Sequence, residues 1–222
     1  MGDTHFPYVN KKSLLRVLSA IDDVKPDFII QIGDLYDAYA WSKFPLKKQV
    51  HTAEEEITLG RKQAEEFWHK AIKSSKRSKC FQLSGNHDQR IYKKLFAQGC
   101  EFSFLYPAID RLFDFEGVET INEQRDELIL DKRVYMHGFR SQLGDHARHN
   151  GMSTICGHSH VGGTVFIRQG AHTIWELNAG FIADTESIAL SYSQQRRFSR
   201  TTQGFGFIDH VGPRFVPLPN EG

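Results

Sequence analysis

Three short apolar runs, each ended by a glycine and then by Asp, Asn or His side chains, constrain this chain more than any other feature. The run 28–32 is followed by Gly33-Asp34-Leu35-Tyr36-Asp37, the run 80–83 by Gly85-Asn86-His87-Asp88, and the run 153–156 by Gly157-His158-Ser159-His160. Loops at the ends of strands carry functional side chains on a rigid scaffold. Together with Asp3-Thr4-His5 and His137, the pattern predicts a two-metal site at the ends of the strands of a sheet.

The order of the elements predicts an α/β fold, with two β-sheets packed as a sandwich and helices outside. The near-continuous apolar run 28–32 is typical of a strand that is buried on both faces. Residues 52–55, Thr-Ala-Glu-Glu, fit a capping box at the start of an amphipathic helix. The first half alternates strand and helix patterns, the second half is rich in strand patterns, and a two-sheet sandwich accommodates both.

The length of 222 residues fits one domain over residues 1–222. Within it, residues 38–79 and 89–127 are interpreted as helical or irregular insertions beside the site. Lys and Arg number 28 against 27 Asp and Glu, so no overall charge points to nucleic acid or to a membrane surface. Apolar runs stay well short of the roughly 20 residues of a membrane span, and no membrane partner is expected.

The cysteines indicate a reducing compartment. Cys80, Cys100 and Cys156 are odd in number and widely spaced, which fits reduced thiols better than a disulfide framework. No pair has the spacing of a Cys-ligated zinc site. The N-terminus lacks a signal-peptide pattern, so we expect a cytoplasmic protein.

The ordered motifs as a set resemble one known family. They are Asp3-x-His5, Gly33-Asp34-x-x-Asp37, Gly85-Asn86-His87-Asp88, His137-Gly138 and Gly157-His158-x-His160, and they span most of the chain. The set resembles the calcineurin-like metallophosphoesterases. Within that family, the chain is most similar to compact bacteriophage-type enzymes and to the nuclease subunit of a double-strand-break repair complex. The resemblance implies a hydrolase of phosphate esters that uses two divalent metal ions. Mn²⁺ is the expected metal, with Fe, Zn²⁺ or Co²⁺ as alternatives.

The resemblance also implies a role for each motif residue. One metal would be held by Asp3, His5 and His160 and the other by Asn86, His137 and His158, with the Asp34 carboxylate bridging them. Ions roughly 3.5–4 Å apart would hold a bridging hydroxide for in-line attack on the phosphoryl group. His87 would act as general acid, with Asp88 fixing its orientation and raising its pKa. Asp37 would accept a hydrogen bond that orients a ligand.

Some motifs have simpler interpretations when taken alone. Gly-Asn-His-Asp is also a turn sequence, and His137 rests on a common His-Gly dipeptide. The companion motifs in family order favour the metal site over the turn, and the strand pattern 134–136 before it favours His137 as a ligand. The remaining histidines are interpreted as surface or core residues: His51, His69, His146, His149, His172 and His210.

One departure from the family concerns the N-terminus. An apolar first strand leads into Asp-x-His in the family, whereas only Met1 and Gly2 precede Asp3 here. The first strand is therefore expected to be truncated, with a start assigned too late as the hypothesis and replacement by another segment as the alternative. A chain terminus frays readily, so the metal site that depends on Asp3 and His5 is expected to be loosely held.

The substrate is constrained less. The Arg-Gly continuation of the serine/threonine protein phosphatases is absent after the second motif, which disfavours that class. Trp41 and the basic stretch 194–200, with Arg196 and Arg197, are candidates for substrate contact and favour a phosphodiester, as in a nuclease or phosphodiesterase. Packing of Trp41 and a solvated basic loop are the simpler alternatives.

Two other functions stay open beside the phosphodiesterase, for which a nucleic acid is the candidate partner. One is a small-molecule phosphatase or pyrophosphohydrolase. The other is a binding module impaired in catalysis by the missing first strand. The sequence does not predict the oligomeric state.

Overall fold

The computed structural model describes residues 1–43, 51–98, 100–121, 127–187 and 201–219. The described helices are α1 (Lys11–Val24), α2 (Ala53–Ser74), α3 (Arg90–Gln98), α4 (Tyr106–Asp110) and α5 (Asp145–Asn150). Short 3-10 helices cover Tyr39–Trp41, Cys100–Leu105 and Arg111–Phe113. The described strands are β1 (Phe28–Ile32), β2 (Lys79–Leu83), β3 (Val118–Ile121), β4 (Leu128–Leu130), β5 (Arg133–Tyr135), β6 (Thr154–Cys156), β7 (Gly163–Gln169), β8 (His172–Asn178), β9 (Gly204–Ile208) and β10 (Pro213–Pro217).

The first sheet has the order β1-β2-β3, and its strands are all parallel. Helices α1 and α2 cover its outer face, where Val17, Phe67 and Trp68 pack in one cluster with Ile29. Both helices begin at a side-chain cap. The Asn10 carboxamide accepts a hydrogen bond from the Ser13 amide at the start of α1. The predicted capping box at the start of α2 is confirmed, because its Thr and Glu side chains each accept from the other's backbone.

Helix α2 corrects the interpretation of residues 38–79 as an insertion. Its residues Ala64, Phe67, Trp68 and Ala71 are all buried in the cluster beneath the first sheet. A parallel sheet needs an apolar cover on both faces, and α2 supplies part of it. The helical part of this segment is therefore a layer of the fold.

The second sheet has the order β4-β5-β6-β8-β7 and mixes parallel and antiparallel pairs. Its inner face meets the first sheet in a common cluster, in which Ile32 and Leu83 of the first sheet join Ile155 and Leu177 of the second. The short helix α5 contacts β6 and β8 on its other side. The layers therefore run helix, sheet, sheet, helix, and the predicted α/β sandwich is confirmed.

Strand direction decides where functional residues collect. In the first sheet β1 and β2 run parallel, and in the second sheet β5 and β6 do the same. Parallel neighbours end at the same edge of a sheet, so the loops after these four strands meet at one end of the sandwich. Strands β9 and β10 form a separate antiparallel hairpin.

The N-terminal segment lies alongside β1. The Ile32 amide donates to the Met1 carbonyl at 2.9 Å, and the Asp3 amide donates to the Gly33 carbonyl at 3.0 Å. On the other side, the Ile182 amide donates to the Asp3 carbonyl at 3.2 Å. Asp3 and His5 are fully buried, so the expectation of a frayed, loosely held end is wrong. These backbone hydrogen bonds are the reason.

Among the described residues, no helix combines the length and the apolar character that a membrane crossing requires.

Candidate metal centre

The structure brings all seven predicted metal ligands together at the end of the sandwich where strands of both sheets finish. Asp34 follows β1 and Asn86 follows β2, while His137 follows β5 and both His158 and His160 follow β6. The remaining two, Asp3 and His5, come from the N-terminal segment beside β1. The loops of two sheets and a chain end therefore converge on one site.

The residues predicted for the first metal form a tight group. His160 Nε2 lies 3.1 Å from Asp3 Oδ1 and 3.4 Å from His5 Nε2. His5 Nε2 lies 4.0 Å from the same Asp3 oxygen. One carboxylate oxygen and two imidazole nitrogens thus face a common point, and this donor set fits a divalent transition-metal ion.

The residues predicted for the second metal form an adjoining group. Asn86 Oδ1 lies 2.7 Å from His158 Nδ1 and 3.1 Å from His137 Nε2. Asp34 Oδ2 lies 3.3 Å from His137 Nε2 and 3.9 Å from His5 Nε2. Asp34 therefore reaches both groups, which is the position that a bridging ligand needs.

Two motif glycines allow this close approach. A Cβ atom on Gly85 would lie 2.1 Å from Asp34 Oδ1, and one on Gly157 would lie 2.3 Å from Asp3 Oδ2. Any larger residue would displace a carboxylate of the site. The glycines in these motifs are thus explained by contact with the ligands themselves.

Five of the seven predicted ligands have left-handed backbone conformations. The φ angles are 52° for Asp3, 50° for His5, 52° for Asp34, 66° for His158 and 58° for His160. Such conformations are uncommon for residues other than glycine and cost of order 1–3 kcal/mol each. They concentrate at functional sites, where the surrounding fold holds them in place.

Buried charges dominate the electrostatics of the site. Burial alone would raise the pKa of Asp34, but its interactions with the neighbouring imidazoles, His137 above all, outweigh that effect and hold the pKa well below its usual range. For His137, burial opposes protonation, yet the Asp34 charge raises its pKa to about 9. Burial also works against ionisation of Asp3, and the hydrogen bond from His160 brings its pKa below the usual value. The carboxylates are thus ionised and suited to a divalent cation.

His87 lies beside these groups and is held by two contacts. Its Nδ1 lies 3.0 Å from the Asp37 carbonyl oxygen, and its Nε2 lies 2.9 Å from Arg90 Nη2. A guanidinium can only donate, so Nε2 accepts and Nδ1 carries the proton that it donates to Asp37. Nε2 also lies 4.0 Å from Asp34 Oδ2, which places it next to the metal ligands.

Sequence reasoning missed Arg90. Its Nη1 donates to the Asp37 carbonyl at 2.9 Å and lies 3.2 Å from Asp37 Oδ1. The guanidinium therefore joins the loop after β1 to His87. The signal available in the sequence was a cation three residues after His87, at the start of a helix.

Asp37 lies between two imidazole rings, as an acceptor that orients ligands would. Its Oδ2 lies 3.3 Å from His5 Nδ1, within ion-pair distance although without the alignment of a hydrogen bond, and its Oδ1 lies 3.5 Å from His87 Nδ1. Burial alone would raise the pKa of Asp37, but interactions with His5 and His87 outweigh it and lower the pKa. Its placement fits the role that the resemblance implies.

The predicted role of Asp88 is corrected. Its carboxylate accepts hydrogen bonds from the backbone amides of Tyr36 at 2.9 Å, Gly85 at 2.8 Å and Leu35 at 3.2 Å. Burial, together with the nearby Asp34 charge, raises the pKa of Asp88 itself to about 6. Asp88 therefore ties the loop after β1 to the loop after β2, and Asp37 and Arg90 hold His87 instead.

Of the candidates for substrate contact, only Trp41 belongs to the described residues, and its 3-10 helix contacts α3 beside the site. Trp41 is half-buried and packs against the cluster beneath the first sheet, in line with the packing alternative. Arg196 and Arg197 lie outside the described residues. His146 is buried, and its Nε2 accepts from the amides of Phe139 at 3.0 Å and Arg140 at 3.1 Å, so it is a core residue that supports the loop after His137.

The chain is similar to a known protein family and to two phage proteins. A family model described as calcineurin-like phosphoesterase matches residues 1–162. The Gene 54 protein of Mycobacterium phage D29 is 24% identical over 250 residues, which cover 98% of this chain and 92% of that protein. The Gene 54 protein of Mycobacterium phage L5 is 23% identical over 238 residues, with 98% and 92% covered.

Proposed function

Because the chain belongs to the calcineurin-like phosphoesterase family, a family of metal-dependent hydrolases, we propose that it hydrolyses a phosphodiester at the site described above, as a nuclease or phosphodiesterase. The observation that carries the proposal is the convergence of the seven side chains predicted as metal ligands beside His87 and Arg90. When bound, two divalent ions would lower the pKa of a water molecule and polarise the phosphoryl oxygens. Manganese is the proposed metal.

The ligand assignment follows the two groups of side chains. Asp3, His5 and His160 would hold one ion, Asn86, His137 and His158 the other, and Asp34 would contact both. The distances among these atoms support the division, since each group is compact and Asp34 reaches both. The buried anionic carboxylates supply the charge that retains the ions.

His87 is the proposed proton donor to the leaving-group oxygen. Its Nδ1–H group is fixed by the Asp37 carbonyl, so Nε2 is the atom that faces the substrate. Nε2 accepts a hydrogen bond from Arg90, and it must exchange that bond for a proton in order to act as an acid. We therefore infer that Arg90 turns from His87 toward a phosphoryl oxygen when substrate enters.

A diester carries groups on both sides of phosphorus and needs contacts beyond the metal ligands. Trp41, next to the loop that Arg90 holds, and the basic residues Arg196 and Arg197 are the proposed contacts. They support a nucleic-acid or dinucleotide substrate, because aromatic rings stack on bases and arginines bind phosphates.

The test is a panel of substrates with Mn²⁺ present and the metal content of the protein measured in parallel. It contains p-nitrophenyl phosphate, bis-p-nitrophenyl phosphate, and single- and double-stranded DNA. We expect cleavage of the diester and of DNA. We also expect His87→Asn to lose roughly 10²–10⁴-fold in rate while it keeps its metal.

Three results would contradict parts of the proposal. Hydrolysis of the monoester alone would point to a small-molecule phosphatase. Full metal content with no turnover of any substrate would point to a binding module. An unchanged rate in His87→Asn would remove that residue from the chemistry.

A further inference from the structure

The candidate metal centre opens to solvent on the side of the second group of ligands. Of the seven predicted ligands, Asn86 and His158 are half-buried, whereas the other five are buried. Both belong to the group that also contains His137. A substrate that reaches the ions therefore passes this group, and the side chains around it contact the parts of the substrate that lie beyond the phosphoryl group.

Phe139 is the large apolar residue nearest to this opening along the chain. It follows His137 by two residues, so the two Cα atoms are at most about 7.6 Å apart. Gly138 between them has a φ of 97°, and the backbone turns there directly after the ligand. Phe139 is 54% exposed. Single apolar residues are common on protein surfaces, so the surroundings of this ring decide whether it has a role.

The loop that carries Phe139 is held by two buried polar side chains. His146 Nε2 accepts hydrogen bonds from the amides of Phe139 at 3.0 Å and Arg140 at 3.1 Å. On the other side of the same ring, His146 Nδ1 lies 3.6 Å from Glu176 Oε1. The Glu176 carboxylate also accepts from three amides at the start of α5. The ring of Phe139 is thus fixed in advance, which lowers the entropy cost of binding to it.

The neighbours of the Phe139 ring support its edges and add a cation. The rings of His146 and His149 meet it edge-on, with centroids 5.4 and 6.0 Å away. The Arg140 guanidinium carbon lies 5.0 Å from the ring centroid, and Arg140 Nη2 lies 3.3 Å from His149 Nδ1. An aromatic ring beside basic side chains is the combination with which proteins bind unpaired nucleotides.

We propose that Phe139 stacks on a nucleobase of the substrate, so that the chain prefers diesters with a base next to the scissile phosphate. The inference rests on the proposed phosphodiesterase function and narrows its substrate to nucleoside phosphodiesters. Every base has a π-face, so stacking of this kind does not select a base sequence. Trp41, the other aromatic candidate, is half-buried in the cluster beneath the first sheet and offers less accessible ring surface than Phe139.

The test measures binding and hydrolysis with compounds that differ only in the base, with Mn²⁺ present. Calorimetry gives the Kd of thymidine 5′-phosphate and of the 5-phosphate of the abasic sugar 1,2-dideoxyribose. Initial rates give kcat/KM for the p-nitrophenyl esters of the same two phosphates. We expect the wild type to favour the compound with the base by roughly 5- to 100-fold in both measurements. Phe139→Ala should bring this ratio close to one, and Phe139→Trp should keep it.

The matched control is Phe166→Ala, which removes an exposed phenylalanine of β7 and should keep the wild-type ratio. Equal affinity of the wild type for the two phosphates would overturn the stacking role. An unchanged ratio in Phe139→Ala, or an equal loss in Phe139→Ala and Phe139→Trp, would overturn it as well. If the wild type binds the base-bearing phosphate more tightly but hydrolyses neither ester, the phosphodiesterase function is wrong and the stacking role of Phe139 stands.

Discussion

Arg90 shows how much of a site depends on side chains that no motif announces. The metal ligands could be recognised because Asp, Asn and His after a glycine at a strand end are informative residue types. An arginine at the start of a helix is common, and its contacts depend on how α3 packs against the loop after β1. Asn178 was missed for the same reason, although its side-chain amide donates to the Gly157 carbonyl at 2.9 Å and steadies the loop of His158.

Replacement of Arg90 tests whether its guanidinium contributes to the reaction at the candidate metal centre. In Arg90→Lys a single ammonium cannot hold the Asp37 carbonyl and also contact a phosphoryl oxygen in the geometry that we propose for the guanidinium. A hydrogen bond to a charged group is worth about 1.5–3 kcal/mol, so kcat/KM for a diester should fall roughly 10- to 100-fold. Initial rates at fixed Mn²⁺ measure this.

The matched control for Arg90 is Lys94→Gln, an exposed cation on the same helix. It should change the rate less than about twofold. Equal losses in both variants would show a general charge effect of α3 and would remove the specific role of Arg90.

For the helices and strands, the sequence predicted the type and position of an element better than it predicted which other elements that element packs against. The strand over residues 28–32 and the start of α2 were found where the pattern placed them. The burial of α2 against the first sheet was not predicted, because the sequence of a helix between two motifs does not show which sheet its apolar face covers. The same applies to Asp88, whose bonds to the loop after β1 depend on the parallel register of β1 and β2.

Glu56 links α2 to the short helix Tyr39–Trp41 and makes that link sensitive to pH. Its carboxylate accepts from the amides of Tyr39 at 2.6 Å and Ala40 at 2.8 Å. Burial is the largest cause that raises its pKa from 4.5 to about 7. At a pH below the Glu56 pKa of the unfolded chain, this carboxyl is protonated in both the folded and the unfolded state. Between the pKa of the unfolded chain and that of the folded protein, only the folded state keeps the proton, so the stability of the fold falls as the pH rises.

The raised pKa of Glu56 predicts that the wild type and Glu56→Gln differ in how their free energy of unfolding depends on pH. The free energy of unfolding of the wild type, minus that of the variant, should fall by on the order of 3 kcal/mol as the pH rises from 4.5 to about 7. Urea denaturation at a series of pH values gives both curves. Glu54→Gln, at an exposed position of the same turn, should run parallel to the wild type. Parallel curves for Glu56→Gln would show that this carboxyl does not titrate in that range.

At the scale of the whole molecule, the site joins the two sheets. Asp34 and Asn86 follow strands of the first sheet, and His137, His158 and His160 follow strands of the second. The sequence predicted the two-sheet sandwich and the residues at the strand ends. It did not predict that the N-terminal segment is held by β1 and Ile182, because those bonds are made by backbone groups that every residue carries.

This arrangement predicts that metal binding stabilises the whole fold. Bound ions would neutralise the buried carboxylates and connect the two sheets through their ligands. A ligand at a thousandfold excess over its Kd adds about 4 kcal/mol to the free energy of unfolding. Removal of metal with EDTA should therefore lower Tm by roughly 10 °C, and Mn²⁺ should restore it. Differential scanning calorimetry measures the shift.

The control for metal removal is Asp34→Ala, which lacks the carboxylate placed between the two groups. EDTA should shift its Tm much less than that of the wild type. A wild-type Tm that is unchanged after complete metal removal would separate metal binding from the stability of the sandwich.

The distance along the chain between the two halves of the site also has a consequence for biosynthesis. His5 and His160 meet across 155 residues. Since ribosomes add about 5–20 residues per second, roughly 8–30 s pass between the synthesis of the first ring and that of the second. During that interval no pair of them exists to capture an ion. The group formed by Asp3, His5 and His160 can therefore bind an ion only after residue 160 has been synthesised, however early Asp3 and His5 leave the ribosome.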